Sequence, residues 1–94
     1  MKTQDVSHFE MVDKGDGYIL LSLSDHAKKE FKTAQYIELP SVGKKIFLKE
    51  ILLAIESTKA IFELESPIEG EVVSVVFDEK SPLEVAICLK TAIL

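Results

Sequence analysis

A chain of 94 residues with 47% hydrophobic and 29% charged side chains is long enough for one small domain and too apolar to stay disordered. The net charge is -5 and all 11 basic residues are lysine, which argues against a nucleic-acid partner, because phosphate and base recognition rely on a positive face and on the arginine fork. Cys88, the only cysteine, excludes an internal disulfide, the polar start Met1–Asp5 has no apolar signal core behind it, and no apolar run approaches the roughly 20 residues that span a bilayer. The expectation is a single domain over residues 1–94, cytoplasmic and without membrane contact.

In chain order, His8 to Asp13 is a weak strand that enters the turn signal Lys14-Gly15-Asp16-Gly17, and Tyr18 to Ser24 is a mostly apolar strand that can pair back onto it. Ser24-Asp25 then offers an N-cap to a helix of about two turns ending near Phe31. From Ala34 onwards the chain reads as short strands punctuated by proline and glycine: Ala34 to Leu39, Lys45 to Leu48, Ile51 to Ile55, Ile61 to Glu65, Glu71 to Phe77 and Val85 to Leu89. This spacing predicts an all-β sandwich or barrel. Ile51 to Ile55 is apolar throughout and should be covered on both faces, whereas Phe62 and Leu64 alternate with Glu63 and Glu65 and should form a half-buried strand. Those two runs and the valines near Val75 are the expected core.

Ile37-Glu38-Leu39-Pro40-Ser41-Val42-Gly43 laid over Leu64-Glu65-Ser66-Pro67-Ile68-Glu69-Gly70 matches at glutamate, proline and glycine. Each copy runs a strand into Pro-x-x-Gly, where proline fixes one backbone angle and glycine permits a positive one. Two such halves packed face to face would be related by a pseudo-twofold axis.

Lys59 is the residue most open to a chemical role. It lies in the polar break Glu56-Ser57-Thr58-Lys59-Ala60 between two strand-like runs, which predicts a hairpin tip that presents its amine unshielded. Other chemistry is poorly supported. His8 and His26 are too far apart in sequence for a metal site and read as surface or packing residues; no metal is expected. Cys88 lies in the apolar run Val85–Leu89 and reads as a small core hydrophobe, with no base at a nucleophile's spacing, so no catalytic residue is expected. Gly15-Asp16-Gly17 lacks a phosphate-cradling pattern, and Glu63, Glu65, Glu69 and Glu71 read as a solvated face.

Taken together, His8, Ser24-Asp25-His26-Ala27, Tyr36-Ile37-Glu38-Leu39-Pro40 with Gly43, Glu56-Ser57-Thr58-Lys59-Ala60 and Ser66-Pro67-Ile68-Glu69-Gly70-Glu71-Val72 make the chain similar to the glycine cleavage system H proteins. The resemblance covers most of the chain and implies the barrel-sandwich hybrid fold of lipoyl and biotinyl domains, with one short helix near residues 25–31. It also implies a cofactor carrier rather than an enzyme, with lipoate in amide linkage on Lys59. Glu56, Ser57 and Ala60 would be read by the lipoate ligase or lipoyl transferase that attaches it. The partners implied are the glycine decarboxylase, the aminomethyltransferase and the dihydrolipoyl dehydrogenase. The arm would carry an aminomethyl group or reducing equivalents between them.

The chain departs from the family at Glu10, where tryptophan is usual, at Ser22 and Val76, where glycine and asparagine are usual, and at Phe31-Lys32-Thr33, which replace Leu-Gly-Asp. The stretch after Ser81-Pro82 is short, so the family's Gly-Trp loop and carboxy-terminal helix are expected to be missing and partner surfaces to differ. Ile93 and Leu94 would dock or pair through an open edge. A lipoate carrier or relay for another pathway therefore stays open. So does an unmodified protein-binding module with the same fold and, more weakly, a biotin carrier, which the Ser57-Thr58-Lys59-Ala60 context counts against.

Overall fold

The computed structural model describes residues 8–91; the polar start Met1–Asp5 and the terminal Ile93 and Leu94 lie outside the described residues. Eight strands and one helix follow in the order β1 (Phe9–Gly15), β2 (Tyr18–Leu23), α1 (Asp25–Glu30), β3 (Tyr36–Glu38), β4 (Lys45–Ile46), β5 (Ile51–Glu56), β6 (Ile61–Glu65), β7 (Gly70–Asp78) and β8 (Ser81–Lys90). They build a five-stranded sheet in the order β1-β2-β8-β7-β4 and a three-stranded sheet in the order β3-β5-β6, with every pairing antiparallel. This is the two-sheet, one-helix architecture that the sequence predicts.

Local chemistry explains where the elements begin and end. The β1–β2 turn holds Gly15, Asp16 and Gly17 at positive φ, and the Asp13 carboxylate accepts from the Gly15 N–H at 2.8 Å. Ser24 caps α1, its Oγ accepting from the Ala27 N–H at 3.1 Å, while Asp25 in the first turn and Lys28 and Lys29 in the last suit the helix dipole. Ser24→Ala is expected to lose about 1 kcal/mol, read as a fall of ~4–8 °C in the midpoint of thermal unfolding. Two strands are shorter than expected. Ala34 stays in the helix exit, its N–H donating to the Phe31 carbonyl at 2.9 Å, so β3 starts only at Tyr36. β4 stops at Ile46 because the Phe47 N–H is taken by the Glu50 carboxylate at 2.8 Å and Lys49 turns the chain at φ 69°.

The core draws on both sheets and on the helix: Phe9, Leu21, Leu23, Ala27, Phe31, Ile37, Ile46, Leu52, Leu53, Ile55, Leu64, Val72, Val85, Ile87 and Leu89 are buried in one cluster. Leu52 to Ile55 are buried without alternation, as expected, but Ile51, expected to be covered with them, is exposed. Three further expectations fail. Phe62 is 41% exposed rather than buried with Leu64. Of the β7 valines Val72 is in the core and Val75 is packed against it, while Val76 is 65% exposed. Cys88 is half-buried and outside the core cluster, because strand parity turns Val85, Ile87 and Leu89 inward and Cys88 with Ala86 outward. β2 and β8, which pair from Tyr18↔Lys90 to Ser22↔Ala86, add Leu21, Leu23, Val85, Ile87 and Leu89 to the core, as many residues as β5, β6 and β7 supply together.

The internal repeat has a structural counterpart. β3 and β6 flank β5 on its two sides, and each leads through its proline turn into a strand of the other sheet, β4 and β7, which pair with each other. The two glycines serve different needs, contrary to the expectation of one positive angle in each copy. Gly43 has φ 95°, whereas at Gly70 an added Cβ would stand 2.9 Å from the Lys90 carbonyl oxygen. One is selected by backbone angle and the other by the close approach of β8.

Candidate functional site

Glu56 and Ile61 are the last pair of the β5–β6 ladder, so Ser57-Thr58-Lys59-Ala60 form the hairpin loop. Ser57 organises it. Its N–H donates to the Ala60 carbonyl at 2.9 Å, and its Oγ accepts from the N–H groups of Lys59 and Ala60, both at 3.3 Å. Serine suits this place because a short hydroxyl can serve backbone groups two and three residues ahead. Lys59 is exposed at the tip, as its position between two strands predicts, and no ion pair among the described residues holds its ammonium.

The base of the loop is held from both sides. Glu56 pairs with Ile61 of β6 and with Tyr36 of β3, and its carbonyl accepts from the Gln35 N–H at 2.8 Å. The residue is half-buried at the end of the strand that leads into the turn. A free amine on a short, internally bonded turn at the end of a doubly flanked strand is a rigid mount for an acyl group. Acylation of the amine removes its positive charge without disturbing any salt bridge.

Beside Lys59 a shallow cavity of about 210 Å³ is lined by Glu30, Phe31, Thr33, Ala34, Ile55, Ser57, Ala60 and Phe62. Helix α1 and the β5–β6 hairpin therefore face one another here. Phe31 is the contact, with its ring 5.0 Å from that of Phe62 and 5.3 Å from that of His8. A larger cleft, about 390 Å³, lies elsewhere, between Tyr36 and Ile37 of β3 and Phe77, Asp78, Glu79 and Pro82 at the β7–β8 turn. Tyr36, Ile37 and Leu39 bring part of one resemblance segment to this cleft, but its lining includes none of Glu56, Ser57, Lys59 and Ala60.

One grouping is not visible in the sequence. His8, read there as isolated from His26, stacks on it with ring centroids 5.8 Å apart, and Glu30 Oε1 lies 3.0 Å from His8 Nε2 and 3.2 Å from His26 Nε2. The cause is register. Phe9 pairs with Leu23 and the Ser24 N–H donates to the His8 carbonyl at 2.9 Å, which sets His8 against the start of α1. His26 and Glu30 then share a helix face at i and i+4. That spacing was the one sequence signal for half of the cluster. Glu63, Glu65, Glu69 and Glu71 are exposed, as expected of a solvated face.

The family model of the glycine cleavage H-protein matches residues 3–82. A probable glycine cleavage system H protein of Thermococcus kodakarensis is 41% identical over 73 residues, which are 78% of this chain and 53% of that protein. The glycine cleavage system H protein of Marinomonas sp. is 36% identical over 69 residues, 73% of this chain and 54% of that protein. This chain thus spans about half the length of the curated relatives it matches. The crystal structure of a glycine cleavage system H protein from Mycobacterium marinum superposes with a TM-score of 0.72 at 21% identity, covering 89% of this chain and 78% of that one, a likeness of fold.

Proposed function

Because the chain belongs to the glycine cleavage H-protein family, we propose that it is a cofactor carrier whose lipoyl group is attached through an amide to the Nζ of Lys59. The observation that carries this reading is the Lys59 turn: an exposed amine, free of ion pairs among the described residues, on a loop bonded within itself by Ser57. These residues suit the group, since an acyl chain added there meets open solvent and leaves every described hydrogen bond of the turn in place. When bound, lipoate supplies a cyclic disulfide that accepts electrons, or electrons together with a carbon group, and opens to a dithiol.

The work of this chain is placement. β5, flanked on both sides, fixes the direction in which the arm leaves, and the Ser57 hydroxyl fixes the loop from which it leaves. Glu56, Ser57 and Ala60 are the surface that a lipoate ligase or lipoyl transferase reads, with Glu56 half-buried and its backbone held by its two strand neighbours. The partners are the glycine decarboxylase, the aminomethyltransferase and the dihydrolipoyl dehydrogenase, between which an aminomethyl group or reducing equivalents pass. A tethered arm raises the local concentration of its cargo at each of them in turn. A role as lipoate carrier or relay for another pathway is the alternative within the same chemistry.

The test is the intact mass of the purified protein after incubation with lipoate, ATP and a lipoate ligase, followed by peptide mapping. The mass of one lipoic acid, less the water lost on amide formation, is expected on the peptide holding Lys59. No addition beside a positive control would favour instead an unmodified protein-binding module. The observation behind that second reading is the cleft between β3 and the β7–β8 turn, flanked by exposed Tyr36 and Phe77.

Among the described residues no helix is long and apolar enough to cross a membrane.

A further inference from the structure

The cluster at the start of α1 is a set of metal donors. His8, His26 and Glu30 each offer one ligand atom, and the three atoms lie within 4.8 Å of one another. Two of the three edges are already short, 3.0 Å from His8 Nε2 to Glu30 Oε1 and 3.2 Å from His26 Nε2 to the same oxygen. An ion that holds imidazole nitrogen and carboxylate oxygen at ~2.0–2.2 Å in tetrahedral geometry keeps those donors about 3.3 Å apart. The folded chain therefore stands close to the arrangement that a bound ion requires, and one short closure of His8 towards His26 completes it.

The donors are also well supported. His8 is fixed by the Ser24 N–H bond to its carbonyl and by the Phe31 ring against its imidazole. His26 and Glu30 are one helical turn apart on α1, whose start is capped by Ser24. The side chains of His8, His26 and Glu30 are 34%, 49% and 44% exposed, so an ion can enter from solvent and water can fill the remaining positions.

We propose that His8 Nε2, His26 Nε2 and Glu30 Oε1 bind one divalent transition-metal ion of the zinc class, leaving at least one coordination position open. Two imidazoles and one carboxylate suit zinc, cobalt, nickel and copper ions, while calcium and magnesium take oxygen donors. Binding replaces the hydrogen bonds between each Nε2 and Glu30 by bonds from both nitrogens and the carboxylate to the metal, and the proton on each Nε2 is given up to solvent, the neutral ring keeping its hydrogen on Nδ1. Glu30 and Lys59 both line the shallow cavity beside the hairpin, so the ion would sit at its edge. The site uses no atom of Lys59 and stands whether or not that residue is modified.

The test is titration of the full chain, purified without a histidine tag, with Co²⁺ followed by its visible absorption, and then with Zn²⁺ as competitor. Saturation at one equivalent and displacement of Co²⁺ by Zn²⁺ are expected, with at least a ~10-fold loss of affinity in each of His8→Gln, His26→Gln and Glu30→Gln. Far-UV circular dichroism verifies that each variant is folded. Should a variant not fold, the imidazole proton resonances of the unaltered chain decide: those of both His8 and His26 shift together on adding one equivalent of Zn²⁺. Absence of saturable binding in the millimolar range, unchanged affinity in the folded variants, or a response from only one histidine would each overturn the site.

Discussion

Lys59→Arg is expected to abolish lipoylation completely while leaving the fold intact. A guanidinium remains protonated under all conditions in which a protein folds and offers no amine for acyl transfer. The same substitution keeps the positive charge and the long flexible stem, and it touches neither the Ser57 hydrogen bonds nor the β5–β6 ladder, which use backbone and hydroxyl groups alone. Surface changes of this kind stay within about 0.5 kcal/mol. Mass spectrometry should show no adduct in the variant under conditions that modify the parent fully, with coincident unfolding curves. An adduct that persists on another of the 11 lysines would move the attachment point, and an unfolded variant would contradict the exposed-tip geometry.

The largest effect on stability is expected from Leu89→Ala. Leu89 is fully buried in β8, between Ile19 of β2 and Val72 of β7 in the ladder, and sits in the single cluster that joins both sheets. Truncating such a side chain removes its transfer energy and leaves a void that neighbouring strands cannot close, a loss of about 2–5 kcal/mol. For a domain of this size that is a large part of the total stability, and the midpoint of thermal unfolding should fall by more than ~10 °C. Val76→Ala, on the outward face of β7 at 65% exposure, is the contrast and should change stability by under about 0.5 kcal/mol. Equal effects at the two positions would mean that the inward face of the five-stranded sheet has been misassigned.

How far the sequence could be read depended on whether a feature was local. The Ser24 cap, the Gly15-Asp16-Gly17 turn and the hairpin tip at Lys59 are each specified by residues within a few positions of one another, and all three stand where the sequence puts them. The inward and outward faces of β7 and β8 are different. Val72-Val73-Ser74-Val75-Val76 and Val85-Ala86-Ile87-Cys88-Leu89 are nearly uniform in polarity, so nothing in the run itself chooses between the two parities. That choice is made by β2, whose Leu21 and Leu23 face the core and lie far away in the chain. The ends of β3 and β4 were set by single hydrogen bonds, from Ala34 and Phe47, that propensity does not encode. For the same reason the meeting of His8 with His26 and Glu30 was hidden: it depends on the register of Phe9 with Leu23 together with the angle at which α1 leaves Ser24.

The position of β8 at the middle of its sheet also sets the order in which the molecule can be made. The three-stranded sheet closes from neighbours in the chain, Tyr36 to Glu65, and its pieces can form as soon as that stretch is free of the ribosome. The five-stranded sheet cannot. β2 has no inner partner until Ser81–Lys90 has been synthesised, and closing so long a loop is slow compared with forming a local hairpin. During translation, then, the Lys59 hairpin can exist before its foundation does, and a nascent chain displays Lys59 on a half-built protein with β2 and β7 still uncovered. An attaching enzyme that reads only the turn would act on such chains as readily as on finished ones, whereas one that also touches the five-stranded sheet would be confined to completed molecules.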